Sequence, residues 1–228
     1  MYTPHTLGLS TLTHMSAPSP LAPDTDTDAA TALRKPRSAY HHGDLRSALL
    51  AAARRELDAG AYETLSLREL ARLAGVSPNA PYRHFASKDE ILAEIAAQGF
   101  EEMSARFDAE TCPDPRERLV RICDLYTDFA RAHPNVYRVM FGAEKPALME
   151  FDVLREAARA SFGRLVSAVA AASGPDGTDE KLVLGRASQL WSLIHGWARL
   201  VIDGVACVLP EDCILPASAG ARTLVTSW

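Results

Sequence analysis

The sequence has few cysteines, and their spacing excludes two common uses of that residue. Only four occur in 228 residues, at Cys112, Cys123, Cys207 and Cys213, and no two of them are spaced as Cys-x-x-Cys. Neither a disulfide scaffold nor a zinc ribbon is therefore indicated, and reduced cysteines in a cytosolic protein are the expectation. A redox-sensing pair formed by Cys207 and Cys213, which are close in sequence, is the alternative.

Long apolar segments are also absent. No run approaches the ~20 apolar residues of a membrane span, and no basic start followed by an apolar stretch marks a secretory signal. We therefore expect a cytoplasmic protein without a membrane partner. His133, His195 and the cysteines lack zinc-ligand spacing, and neither a nucleophile elbow nor a phosphate-binding loop occurs. The sequence thus argues against an enzyme and predicts neither a metal nor a cofactor.

Positive charge is scarce overall but concentrated in one region. The net charge of −5 argues, taken alone, against a nucleic-acid partner. Between Arg34 and Leu92, however, ten Lys and Arg residues stand against seven Asp and Glu residues. Because the local distribution of charge decides where DNA is attracted, this stretch is the expected DNA-binding region, and the acidic remainder is expected to be repelled from DNA.

Strand-type alternation is almost absent, and from Asp44 onward apolar residues recur every three or four positions. This period predicts an all-α protein. Residues 1–39, rich in Thr, Ser, Pro, Asp and Ala, predict a disordered tail, and translation from Met1 or from Met15 fits this tail equally. The tail ends in a basic arm, residues 34–38, which contains Arg37. Two interpretations of this arm fit equally: it contacts DNA, or it is part of an ordinary tail that carries a few basic residues.

The most informative stretch runs from Ser66 to Phe85. Ser66 is placed to cap one short helix and Ser77 the next, and Gly75 lies where the chain must turn between them. Pro78 fits the first position of the second helix, whereas Pro81, at its fourth position, removes at most one backbone hydrogen bond. Two short helices around a tight turn predict a helix-turn-helix, whose second helix enters the DNA major groove.

The exposed side of that second helix is polar. Ser77, Asn79, Tyr82, Arg83 and His84 carry good hydrogen-bond donors and little negative charge, as groups that contact DNA do. A generic helical hairpin explains the leucines of this stretch but not these residues. Lys88, in the first turn of the following helix, opposes the helix dipole and is not needed for capping. A phosphate partner would account for it.

These motifs resemble the N-terminal domain of the TetR family of transcriptional regulators. The matching segments are Ala74-Gly75-Val76-Ser77, Tyr82-Arg83-His84-Phe85 and Ser87-Lys88-Asp89-Glu90. The resemblance covers about residues 40–95. It implies a three-helix DNA-binding domain at residues 40–90 and a helical-bundle domain for ligand sensing and dimerisation at residues 91–228.

The resemblance also assigns roles to residues of this chain. It implies phosphate contacts for Tyr82, His84 and Lys88, a further backbone contact for Ser66, and base contacts for Pro78, Asn79 and Ala80. Pro81 departs from the family pattern, which has Leu or Ile there more often, so the individual base contacts are open. The full predicted DNA-binding set is Arg37, Ser66, Ser77, Pro78, Asn79, Ala80, Tyr82, Arg83, His84 and Lys88.

The C-terminal half resembles a subgroup of that family with a Trp-His-Gly pattern, here Trp191, His195 and Gly196. Trp191 and His195 are four residues apart and share a helix face. Two roles for His195 fit this pattern: a core histidine with a satisfied hydrogen bond, or a polar anchor in a ligand pocket. Aromatic and sulfur-containing side chains suggest a largely apolar effector site, with core packing as the alternative. The predicted site consists of Tyr126, Phe129, Met140, Phe141, Phe162, Trp191 and His195.

Dimerisation is expected because one helix-turn-helix makes too few base contacts for useful specificity. The family resemblance places the interface on the last two helices. Here these are the helix from Lys181 to Val208, with Leu184, Leu190, Leu193, Ile194, Leu200 and Val201, and the segment Ala217–Trp228. We expect a homodimeric repressor that binds a palindromic double-stranded operator and is released by a small apolar ligand. A DNA-binding regulator controlled by a protein partner is the alternative, and activation instead of repression stays open.

Overall fold

A computed structural model describes residues 42–142, 149–208 and 216–228 of the chain. Within these ranges the protein forms eight α-helices and no β-strand, so the all-α prediction is confirmed. The helices are α1 (His42–Asp58), α2 (Leu67–Leu73), α3 (Lys88–Asp108), α4 (Pro115–Ala132), α5 (Pro134–Met140), α6 (Asp152–Ala172), α7 (Glu180–Ile202) and α8 (Ala217–Thr226). The predicted tail, its basic arm and Arg37 lie outside the described residues, as do Cys213 and the side chain of Cys207.

Side-chain caps set where several helices begin. Ser66 Oγ accepts a hydrogen bond from the Glu69 backbone N–H at 3.2 Å, and Ser87 Oγ accepts one from Glu90 N–H at 3.2 Å. The Glu90 carboxylate reaches back to the Ala86 N–H at 2.6 Å, which completes a reciprocal cap at the start of α3. These bonds satisfy backbone donors that have no partner within their own helix.

Helix α3 has more buried residues than any other helix that the structure describes. Its residues Ile91, Leu92, Ile95 and Phe100 are almost fully buried, and the helix packs against α1, α4, α5 and α6. A helix that is apolar on most sides must be surrounded by other elements, which places α3 at the centre. The predicted domain boundary after residue 90 lies inside α3, so the N-terminal helices and the C-terminal bundle share this helix and one hydrophobic core.

The predicted helix from Lys181 to Val208 is shorter in the structure. It ends at Ile202, and a separate 3-10 turn follows at Val205–Val208. Gly204 between them has a φ of +71°, a left-handed conformation that an α-helix cannot contain. No helix among the described residues is long and apolar enough to cross a membrane. The same residues contain no cluster of His, Cys, Asp and Glu suited to a metal ion.

Candidate functional site

The first site is the segment that follows α2. After Leu73 the chain turns at Gly75, whose φ is +67°, and the Val76 N–H returns to the Ala71 carbonyl at 3.0 Å. A residue with a Cβ would be strained in this left-handed conformation. The predicted turn of a helix-turn-helix is thus present where Gly75 was expected to allow it.

The second element of the motif differs from the prediction. In place of an α-helix from Pro78, the chain forms turns and a short 3-10 helix, Pro81–Arg83. Pro81 has no N–H to donate to the Ser77 carbonyl, and that carbonyl instead accepts from Ala80 N–H at 2.9 Å. The expectation that Pro81 removes only one bond from an otherwise normal helix is therefore wrong. Burial of Pro81 and Phe85 holds the segment in place.

Most of the predicted DNA-contacting side chains of this segment are accessible. Ser77, Pro78, Asn79 and Arg83 are exposed, and Tyr82 is 51% exposed despite its size. Ser66 at the start of α2 is exposed, whereas Ala80 and His84 are half-buried. A large aromatic side chain that is half exposed, next to exposed amide and guanidinium donors, is available for an external partner.

Ion pairing decides which cations near this segment are free for phosphate. Three arginines near this segment form ion pairs: Arg46 with Glu94, Arg54 with Asp58 and Glu102, and Arg72 with Glu69. Arg68 and Arg83 are exposed and form no ion pair with any residue that the structure describes. Sequence reasoning missed Arg68. Its position two residues after the Ser66 cap, on the exposed side of α2, is the signal that identifies it.

Lys88 has a partner within the protein. Its Nζ donates to the Tyr62 carbonyl at 2.6 Å and lies 4.7 Å from the centre of the Tyr62 ring. A phosphate is therefore not needed to account for Lys88, because the loop between α1 and α2 returns to supply a carbonyl and an aromatic face. Contact of Lys88 with phosphate stays a prediction.

The second site is a cavity of about 450 Å³ enclosed by α3, α4, α6 and α7. This volume is within the range of about 300–1,000 Å³ that is typical of small-molecule sites. Its wall is almost entirely apolar, and Arg159 is the only charged side chain among the described residues of that wall. The lining residues are Phe100, Met103, Phe107, Ile122, Tyr126, Phe141, Met149, Ala158, Arg159, Ser161, Phe162, Gly163, Leu165, Val166, Leu184, Trp191 and Ile194.

The structure divides the predicted effector residues into two groups. Tyr126, Phe141, Phe162 and Trp191 line the cavity. Phe129, Met140 and His195 do not belong to its lining, and the first two are at most 2% exposed within the helical core. Sequence reasoning missed the α3 side chains Phe100, Met103 and Phe107, because an apolar position that faces a cavity has the same periodicity as one that faces a packed core.

His195 takes part in a polar cluster directly behind the cavity wall. Its Nδ1 lies 2.7 Å from Tyr137 Oη and 3.1 Å from Tyr126 Oη, and the two hydroxyls are 2.8 Å apart. Burial, and secondarily Arg199, lower the pKa of His195, which favours a neutral imidazole. With its proton on Nε2, the ring accepts from Tyr137, which in turn accepts from Tyr126. His195 is thus a half-buried, hydrogen-bonded histidine, one hydrogen bond away from the cavity-lining residue Tyr126.

Burial also keeps the two tyrosines of this cluster protonated. It raises the pKa of Tyr126 and of Tyr137, in both cases as the largest effect. A hydrogen bond from Trp191 to Tyr126 acts in the opposite direction on the Tyr126 pKa but is smaller. Tyr126 and Trp191 therefore link the cavity surface to the cluster, whose donors stay in place at neutral pH.

A third feature is the outer face of α7 and α8. Leu182, Leu193 and Leu200 are exposed there, around the small residues Gly185, Ser188, Ser192 and Gly196. An apolar groove continues this face between the helices and is lined by Leu193, Gly220 and Leu224. Leu190 and Ile194, which were expected at an interface, are instead 0% and 1% exposed in the core of the chain. They point away from this face, by roughly 120–160° around the helix.

Comparison with known proteins identifies the chain. A profile described as "Bacterial regulatory proteins, tetR family" matches residues 49–95, and one described as "Tetracyclin repressor-like, C-terminal domain" matches residues 119–214. The chain belongs to the TetR family. It is therefore a transcriptional regulator with an N-terminal helix-turn-helix DNA-binding domain. The curated relatives that it matches are HTH-type transcriptional regulators as well, in agreement with the prediction that the chain is not an enzyme.

Individual relatives are similar to this chain over half of its length or more. The HTH-type transcriptional regulator EthR of Mycolicibacterium smegmatis is 32% identical over 121 residues, which are 50% of this chain and 56% of EthR. The chain spans about half the length of the curated relatives it matches. A protein of unknown function from Rhodococcus sp. RHA1 has 32% identity and a TM-score of 0.67, over 84% of this chain and 98% of the other.

A more distant solved structure supports the fold alone. The TetR-family transcriptional regulator PfmR of Thermus thermophilus is 22% identical and has a TM-score of 0.51. The match covers 78% of this chain and 94% of PfmR. The helical architecture is thus shared at low sequence identity, as expected where buried positions define the fold.

Proposed function

We propose that this TetR-family regulator is a cytoplasmic repressor that binds a palindromic DNA operator as a homodimer and releases it when a small, largely apolar molecule fills the cavity. The observation that carries the DNA half is the exposure of Asn79, Tyr82 and Arg83 within the segment 77–84. The observation that supports effector control is the apolar cavity among the C-terminal helices.

On the DNA, Asn79 and Arg83 are the best base-reading candidates because amide and guanidinium groups form paired bonds with adenine and guanine. Ser66, Ser77, Tyr82, His84 and Lys88 are assigned to phosphates, with Pro78 and Ala80 against the base edges. Arg68 joins the phosphate set because no carboxylate of the described residues neutralises it. These contacts give salt-dependent affinity, since each neutralised phosphate releases bound cations.

The homodimer rests on the outer face of α7 and α8. Small residues along the middle of α7 allow a second helix to approach closely, and exposed leucines on both sides supply apolar area. Two copies of this face form a four-helix contact with two-fold symmetry, which places two identical DNA-binding segments for a palindromic site.

Release follows from a physical connection between the cavity and the DNA-binding helices. A ligand against Tyr126 and Trp191 meets the cluster that holds Tyr137 of α5. Asn135, on the same short helix, donates from Nδ2 to the Leu57 carbonyl near the end of α1 at 2.9 Å. A ligand that prefers one position of α5 therefore favours one position of α1, and only such a preference releases DNA.

The cavity also supports effector control over control by a protein partner. Ser161 is the one serine among the described residues of its wall, and its hydroxyl can form a hydrogen bond with a polar atom of a small ligand.

Selection from a random double-stranded DNA library by the full-length protein tests the proposal. We expect enrichment of an inverted repeat, with a complex of two chains per site. Tyr82→Ala and Arg83→Gln each lower the affinity for the selected site about tenfold, since each such contact contributes about 1–3 kcal/mol. Arg72→Gln is the matched control, because Arg72 is paired with Glu69. Unchanged affinity in both variants, or no enriched sequence, contradicts the proposal.

A further inference from the structure

Among the described residues that line the cavity one is charged, and it lies at the opening. Arg159 lines the wall and is exposed, as are the lining residues Gly163 and Leu184, so the cavity reaches solvent between α6 and α7. Away from this opening the wall consists of buried side chains such as Phe100, Phe107 and Ile122. A molecule that fills this space has an apolar body and meets a cation at one end.

The charge of Arg159 is not used within the described parts of the protein. Arg155 and Arg164, on the same helix, bond to the carboxylates of Asp152 and Asp108. Arg159 forms no ion pair or hydrogen bond with any described residue. An unpaired guanidinium beside an apolar opening presents a planar set of donors, whose geometry matches both oxygens of a carboxylate.

We propose that the effector is an apolar carboxylic acid, bound with its hydrocarbon part inside the cavity and its ionised carboxylate on Arg159. This inference rests on the proposed effector function of the cavity and adds the chemical class of the ligand. Carboxylic acids ionise near pH 4–5 in water, so the group is about fully charged at neutral pH. At the opening the carboxylate stays partly hydrated, which avoids the cost of burying a charge.

The test compares two probes with the same chain length, decanoate and 1-decanol. Their dissociation constants for the full-length protein are measured by titration calorimetry at pH 7.5, below the concentrations at which either probe aggregates. We expect decanoate to bind about fivefold more tightly than decanol, near the upper end of what an exposed ion pair provides. This preference becomes smaller as salt is added, because the opening is accessible to ions.

Substitutions test whether Arg159 produces the preference for decanoate over decanol. Arg159→Gln reduces decanoate binding to the level of decanol and leaves decanol binding unchanged, and Arg159→Lys retains part of the preference. Arg164→Gln, the matched control on the same helix, retains it in full, because Arg164 does not line this cavity. Ala158→Trp fills the interior and abolishes the binding of both probes. Decanoate binding that survives Ala158→Trp in a folded protein places the acid elsewhere and overturns the inference.

Two further outcomes separate this inference from the proposed function. If both probes bind equally in the wild type and in Arg159→Gln, the carboxylate assignment is overturned while the apolar effector cavity is supported. If neither probe binds, both the acid and the effector role of the cavity are contradicted, and the DNA-binding role is judged by the operator experiment alone.

Discussion

At the scale of single residues, the backbone conformation of Gly75 makes a prediction with a matched control. Gly75 has a φ of +67° in the turn of the DNA-binding motif, whereas Gly163 lies within α6, and an added Cβ meets no atom within 4 Å at either position. Gly75→Ala is expected to lower the free energy of unfolding by about 1–2 kcal/mol through left-handed strain. Gly163→Ala is expected to raise it by about 0.5–1 kcal/mol through helix propensity.

Chemical denaturation of the two variants measures both effects. The opposite signs are the critical result, because open space surrounds both positions and only the backbone conformation differs. Equal effects of the two substitutions on stability would contradict the role assigned to Gly75.

His195 makes a prediction about pH. In the unfolded chain the imidazole titrates near its ordinary value of 6.5, and burial lowers the pKa in the folded state. Below pH 6.5 the unfolded state therefore binds a proton that the folded state resists. The contribution of His195 to stability is complete above pH 6.5 and is lost as the pH falls from there toward the folded-state pKa.

Urea denaturation between pH 5.5 and 8 of the wild type and of His195→Asn measures this effect. The asparagine side chain retains a polar group near the position of Nδ1 but does not titrate. We expect the wild-type stability to decrease more steeply below pH 6.5 than that of the variant. Parallel pH profiles would show that another group is responsible.

At the scale of elements, α5 is the shortest helix of the C-terminal part, yet it forms polar bonds with α1, α4 and the end of α7. Tyr137 joins the cluster with His195 of α7, and Arg138 donates to the Ile202 carbonyl at 2.6 Å and to Asp203 at 3.1 Å. Asn135 reaches the Leu57 carbonyl of α1. One helix of seven residues thus links the end of α1 to the end of α7.

This arrangement predicts the effect of removing the link to α1. Asn135→Asp retains the size of the side chain but has no N–H to donate to Leu57, so stability is expected to fall by about 1 kcal/mol or more. If α5 transmits the effector signal, the variant also shows a smaller decrease in operator affinity on ligand addition. The readouts are urea denaturation and operator affinity with and without decanoate. An unchanged ligand effect contradicts transmission through Asn135.

At the scale of the whole molecule, the dimer is a prediction about the exposed face of α7. Ser192 lies in the middle of this face and is exposed, so Ser192→Arg places charge and bulk in the contact without disturbing the chain's own core. We expect a folded monomer by light scattering and at least a tenfold loss of operator affinity. Ser167→Arg, at an exposed serine of α6, is the control and stays dimeric. A dimeric Ser192→Arg variant would place the interface elsewhere.

Helix positions and the helix-turn-helix turn follow from local signals, and these were predicted from the sequence. The cap Ser66 and the turn at Gly75 act within a few residues, so their effects are readable without the fold. The pattern of apolar residues likewise predicted an all-α chain. The sequence pattern did not predict the short 3-10 helix at Pro81. Helical periodicity continues through this position, although proline has no N–H to donate to the backbone.

The long-range features were decided by the tertiary structure. Periodicity cannot separate Phe129, which lies in the core, from Phe100, which lines the cavity, because both positions exclude water. Lys88 meets the Tyr62 carbonyl only because the intervening helix-turn-helix folds back, and Arg159 reaches the cavity opening only because α6 and α7 are adjacent. The sequence by itself thus determined the family, the all-α class and the turn of the helix-turn-helix through short-range patterns. The cavity, the cation Arg159 at its opening and its links to α1 depend on which helix faces pack together.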